Sequence, residues 1–319
     1  LEREVQSYNE SVWTEYDELP IHEGIGLRHS WGLLDSNLGS LTFLSPPDVV
    51  AAASGVTEGE TIPLNISLGL IDPPMFGRVG WKHSVEAADR NTFEDVLDNY
   101  NPQSSSQWDG FRHVRAREAG FFGGITEFSE GDLESLSIEH LARRGIAGRG
   151  VLLDVAGWLD ARGTPLDPFS GDLVEASTLE MVAEAQGVSL QQGDILCIRL
   201  GWVGAYRLMT VEQRASPEVS GRFAGLRSNE DTVRFLWNNR IAAVCTDNPA
   251  VESAPGNLED GSLHRRLIPM LGMVFGELLD LDPLARRCAS IGRYDFLFVA
   301  VPLPIPGGLS SPANAMAIL

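Results

Sequence analysis

Asp194-Ile-Leu-Cys-Ile-Arg-Leu200 and Ile241-Ala-Ala-Val-Cys245 are short apolar runs, and between them Asp231 to Asn239 places Val233, Leu236 and Trp237 on one helical face. Apolar runs of that length predict buried strands, and the spacing between them predicts a helix. The alternation continues outward. Upstream, Gly150-Val-Leu-Leu-Asp-Val155 reads as a buried strand, and Ser177-Thr-Leu-Glu180 as a capping box opening a helix that runs through Ala185. Downstream, Asp295-Phe-Leu-Phe-Val-Ala-Val301 is a further apolar strand. Strands and helices taking turns through the second half predict an α/β fold in a single domain, because apolar sheet faces need helices packed against them.

Toward the N-terminus, Thr61-Ile-Pro-Leu-Asn-Ile-Ser-Leu-Gly-Leu70 sets Ile62, Leu64, Ile66, Leu68 and Leu70 on one side, a period of two that predicts a strand. Ser45-Pro-Pro-Asp48 marks a helix start. Residues 1–60, rich in Gly, Ser, Pro and acids, read as an ordered lead-in packed on the core, and residues 71–104 as a long loop of turn-formers suited to carrying function. No internal repeat or low-complexity linker divides the chain.

With 24 Lys+Arg against 44 Asp+Glu the formal net charge is −20, so the surface repels nucleic-acid phosphates and anionic lipid headgroups. A small-molecule partner is expected instead. Apolar stretches fall well short of the ~20 residues that span a bilayer, and Leu-Glu-Arg-Glu-Val at the start lacks the apolar core of a signal peptide. Cys197, Cys245 and Cys288 are odd in number and set among apolar residues, which suits buried thiols in a reducing, cytoplasmic setting.

For chemistry, Gln107-Trp-Asp-Gly-Phe-Arg-His113 places a carboxylate, Asp109, and an imidazole, His113, four residues apart after a Ser-rich turn. Such a pair can bind a metal or share a proton; it can equally be a turn cap and an ordinary hydrogen-bonded histidine. A second group follows the strand ending at Cys245: Thr246-Asp-Asn-Pro-Ala-Val-Glu-Ser253, then His264 and Glu277. The carboxyl end of a buried strand is a common ligand-contacting position in α/β folds, although Asp247 also reads as a turn residue, Glu252 as a surface acid and His264 as a helix-surface imidazole. Trp108, Phe111, Phe121 and Phe122, joined by Trp202 and Tyr206, are candidates to line an apolar pocket for a ring-bearing substrate, with core packing as their other reading.

Gln103-Ser-Ser-Ser-Gln-Trp-Asp-Gly-Phe-Arg-His113 resembles the motif His-x-Gly-Thr-His-x-Asp-x-Pro-x-His of the cyclase family that contains kynurenine formamidases and isatin hydrolases. Asp109 and His113 match it, whereas Gln103 and Gln107 stand where the family has metal-binding histidines. Trp31 to Pro46, Gly145 to Asp154, Thr246-Asp247 and Ser310 to Leu319 resemble other family segments in the same order, with His264 and Glu277 in the places of its downstream His and Glu. The resemblance implies a mixed, barrel-like sheet flanked by helices, with residues 61–319 as the catalytic domain and a homo-oligomer, dimer or tetramer. It implies a divalent metal (Mn, Zn or Mg) on Gln103, Gln107, Asp109, His264 and Glu277, and catalysis by His113, Asp109 and Glu277, with His113 moving the proton. Two amide oxygens in place of imidazoles make a harder, weaker metal site; alternatively Gln103 and Gln107 bind substrate. The expected activity is hydrolysis of an amide, cyclic amide or lactone, with a metal-free cyclase, dehydratase or isomerase of secondary metabolism as the other possibility.

Overall fold

The computed structural model describes residues 13–319; the opening Leu-Glu-Arg-Glu-Val, read above for a signal peptide, lies outside them. Nine strands form one mixed sheet: β1 (Thr61–Pro63), β2 (Gln107–Asp109), β3 (Ile146–Asp154), β4 (Ile195–Arg199), β5 (Ala243–Thr246), β6 (Val274–Glu277), β7 (Asp295–Ala300), β8 (Ser310–Pro312) and β9 (Ala315–Ile318). Their order across the sheet is β8-β2-β6-β5-β4-β3-β7-β9-β1, and the sheet curls into a half-barrel. The central strands β3, β4, β5 and β6 run parallel, and the flanking pairings are antiparallel.

The central strands are buried on both faces, and Val151 to Leu153, Ile195 to Ile198 and Ala243 to Cys245 are all inaccessible. This is why they read as continuous apolar runs rather than alternating ones. The longer helices are α1 (Pro46–Ser54), α2 (Ala176–Gln186), α3 (Glu230–Asn238), α4 (Leu263–Leu271) and α5 (Asp282–Ile291). Helix α1 starts where Ser45 and Asp48 form a capping box. The lead-in contributes Tyr16, Leu19, Leu41, Phe43 and Leu44 to the main core. Cys197, Cys245 and Cys288 are free and buried. Among the described residues no helix is long and apolar enough to cross a membrane.

Three expectations need correction. The strand read over 61–70 ends at Pro63; the alternation still buries Leu64 and Ile66, but Leu68 is 43% exposed because the chain turns away from the sheet. Helix α2 begins at Ala176 behind Glu175, so Ser177 sits inside its first turn and is not the cap. The loop over 71–104 contains an antiparallel hairpin, Lys82–Ala87 with Phe93–Asp98. Every residue of both strands is exposed, and without a buried face the hairpin leaves little hydrophobic signature.

Gly39 marks where the lead-in presses on the core. Its φ is +50°, and an added Cβ would meet the Gly272 carbonyl and the Phe111 ring. Gly39→Ala is expected to cost roughly 2–4 kcal/mol, combining overpacking with a left-handed backbone, read as a lowered denaturation midpoint. An unchanged midpoint would show that this contact relaxes freely.

Candidate active site

Strand β2 alternates, so Gln107 and Asp109 face one way and Trp108 the other. Its antiparallel register against β6 puts Gln107 directly opposite Glu277, and the Gln107 amide donates to Glu277 Oε2 at 2.8 Å. His264 comes from the first turn of α4, and its Nε2 lies 3.2 Å from Glu277 Oε1 and 3.8 Å from Asp109 Oδ2. His113 follows β2 by one turn, its Nε2 3.7 Å from Asp109 Oδ2. Gln103 closes the group: its amide donates to Asp109 Oδ1 at 3.0 Å and lies 2.9 Å from His113 Nδ1. Residues separated by more than 170 positions thus share one cluster.

The cluster is largely buried. Asp109, Gln107 and Glu277 are at most 2% exposed, while a quarter of the His113 side chain reaches solvent. Burial would raise the Asp109 pKa, but the imidazoles of His264 and His113 and the Gln103 amide outweigh it and hold the carboxyl below its ordinary range. Burial and then the Asp109 charge push Glu277 up to about 7 against the pull of His264. Burial would lower His264, yet Glu252 and Glu277 hold it well above its usual value. His113 is held below its usual value, mainly by burial, so its ring is neutral near pH 7.

Two expectations for lone residues change here. Glu252 is not a surface acid: its side chain is 13% exposed, accepting from His264 Nδ1 at 2.6 Å and from Ser262 Oγ at 2.8 Å. His264 is correspondingly an inward imidazole oriented by that carboxylate. Asp247 is a structural tie that accepts the main-chain N–H groups of Leu200 and Gly201 at 2.6 and 2.8 Å. The aromatic candidates lie in the packing. Trp108 is fully buried, donates to the Ala313 carbonyl and meets Phe298 edge-on. Phe111 packs on Phe122, and Phe121 on Phe128. Trp202 stacks on Tyr206 at 4.6 Å within a separate apolar cluster that includes Met75 and Phe223.

Sequence reasoning missed Arg78. Its guanidinium donates to the Gln103 main-chain oxygen at 2.6 Å, and its charge is felt by Asp109, Glu277 and His113. Nothing in the local sequence around Arg78 marks it; only the fold returns it to the cluster.

Among the described residues, Asp109, His113 and His264 form a group that could hold a metal ion, with one ligand atom from each lying within 4.8 Å of the others. Within the cluster two buried acceptors lack hydrogen-bond partners, Asp109 Oδ2 and Gln107 Oε1. Unpaired buried acceptors are costly, and a cation beside two imidazoles would satisfy the first, so these residues fit a divalent ion. If they hold one, the Glu252 carboxylate orients the His264 ring through Nδ1 and makes Nε2 the better ligand. Glu252→Gln is then expected to weaken metal affinity by roughly 10- to 100-fold, measured by chelator competition; equal affinity would separate Glu252 from metal binding.

A family model described as putative cyclase matches residues 61–253. A solved structure described as a novel cyclase is 29% identical, with a TM-score of 0.80 over 91% of this chain and 99% of that one. An isatin hydrolase bound to the product analogue thioisatinate is 14% identical, with a TM-score of 0.59 over 86% of this chain and 99% of the other. Isatin hydrolase A from Labrenzia aggregata, bound to benzyl benzoate, is 16% identical, with a TM-score of 0.55 over 84% and 96% of the two chains. These last two likenesses are of fold. No curated protein matches the chain.

Proposed function

The chain belongs to the putative cyclase family, and from that membership we propose that it hydrolyses the C–N or C–O bond of a small ring-bearing amide, cyclic amide, imide or lactone with the help of a divalent cation. The observation that carries this reading is the buried, unpartnered Asp109 Oδ2 facing the ring nitrogens of His113 and His264. A divalent cation supplies Lewis-acid polarisation of a carbonyl and an acidified water when bound. Asp109, His113 and His264 would hold it, and the mixed oxygen and nitrogen donors suit Mn²⁺ or a weakly held Zn²⁺. Gln103 fixes Asp109 by donating to Oδ1, which leaves Oδ2 turned to the imidazoles. Glu277, with Oε1 3.2 Å from His264 Nε2 and Oε2 accepting from the Gln107 amide, is placed to take up and return a proton beside that group. The isatin hydrolase neighbours support the substrate class by fold alone.

A second reading, a metal-free cyclase, dehydratase or isomerase, is favoured by a different observation. His264, held well above its usual pKa between Glu252 and Glu277, can itself be the cation that balances these acids, and the two glutamine amides already donate to Asp109 and Glu277. There the neutral His113 would act as base and Glu277 as acid. Metal analysis of the purified protein, with a screen of lactams, lactones and formamides with and without chelator, separates the two. Turnover lost on chelation and restored by Mn²⁺ or Zn²⁺ supports the first reading. Full turnover in chelator supports the second.

A further inference from the structure

Arg78 has no part in either mechanism, yet its position is specific. One N–H is spent on the Gln103 carbonyl at 2.6 Å, and Gln103 in turn touches Asp109 and His113. The partly buried Arg112, Arg149 and Arg199 each hold a carboxylate, whereas no carboxylate among the described residues forms an ion pair with Arg78. Of the nearby acids, Glu277 is engaged by Gln107, His264 and the Val251 N–H, and Asp109 accepts from Gln103 at Oδ1 while its Oδ2 faces the imidazoles of His113 and His264 without a hydrogen bond. A guanidinium carries five N–H donors, so most of this fork is open beside the cluster.

Beneath it lies Phe76, whose ring centroid is 5.0 Å from the Arg78 guanidinium carbon. Phe76 has φ 60° and ψ 28°, a left-handed conformation uncommon for a bulky residue, and it stays 53% exposed. An exposed aromatic face under an open guanidinium has the two features that recognise a ring bearing an anionic group. On a chain of net charge −20 an anion is otherwise repelled, so such a ligand needs a local cation.

We propose that Arg78, with the Phe76 ring beneath it, is the anion-binding residue of this site and takes the carboxylate of a ring-bearing ligand. That carboxylate either enters on the substrate or is released when a cyclic amide or lactone opens; the second source rests on the hydrolase reading. The fork of Arg78 meets both carboxylate oxygens, which a lysine cannot do with the same geometry.

Calorimetry with benzoate and benzamide, on wild type, Arg78→Gln and Arg78→Lys, tests this without turnover. Arg78→Gln keeps an N–H for the Gln103 carbonyl but loses the charge. Benzoate is expected to bind wild type more tightly than benzamide does, to weaken roughly 10- to 100-fold in Arg78→Gln, and to fall between the two in Arg78→Lys, with benzamide unchanged throughout. Equal benzoate affinity in wild type and Arg78→Gln, absence of benzoate binding by wild type, or an equal loss for benzamide would overturn the proposal. A failed hydrolysis screen leaves these readouts intact, so the two readings fail separately. With a hydrolysed substrate in hand, a raised KM confined to carboxylate-bearing substrates marks a carboxylate that enters; a raised product-inhibition constant at unchanged KM marks one that is released. Either supports the assignment.

Discussion

His113→Ala is expected to lower turnover by roughly 10²- to 10⁴-fold, the scale of losing a general acid or base, with little change in fold. A quarter of the side chain reaches solvent, and its partners are the Gln103 amide and the Asp109 carboxylate rather than the core. Removing it therefore leaves the packing intact and takes away a neutral ring nitrogen beside Asp109. The loss is expected under either proposed mechanism, because the ring is a cation ligand in one and the base in the other. What distinguishes them is the metal: with His113 as a ligand, the variant also loses metal affinity. Unchanged turnover with a substrate in hand would remove His113 from both mechanisms.

Changing both glutamines, Gln103→His with Gln107→His, is expected to raise Zn²⁺ affinity on the order of 10³-fold or more, given that a complete four-ligand zinc site is worth over 10 kcal/mol. Gln103 and Gln107 flank Asp109 within hydrogen-bond reach of the cluster, and each now directs an amide N–H, which cannot ligate a metal, at a carboxylate. An imidazole at either position replaces that donor with a nitrogen lone pair aimed at the same space, where His264 and Asp109 already lie 3.8 Å apart. Native protein should release Zn²⁺ to a chelator that the double variant resists. Equal affinities would mean that these two positions do not face the ion, and the metal-free reading would gain.

The alternation of apolar runs and amphipathic helices was enough to establish the α/β fold, because burial on both faces of β3, β4 and β5 writes itself into sequence as continuous runs of Val, Ile, Leu, Ala and Cys. The helix start at Ser45-Pro-Pro-Asp48 was legible for a similar reason: it is local, and four residues contain it. The exposed hairpin over residues 82–98 was not legible, since strands that bury nothing are under little pressure to be apolar. At the site, Asp109 and His113 were recognisable as a pair by spacing, and His264 and Glu277 by resemblance. Their convergence was decided by the antiparallel register that sets Gln107 opposite Glu277, and by the placing of α4, which brings His264 over both. Glu252 beside His264, Arg78 over Gln103 and the pKa of Glu277 near 7 belong to the tertiary structure entirely. Each depends on distance and burial between groups far apart in the chain, and those quantities take values only once the sheet has closed around them.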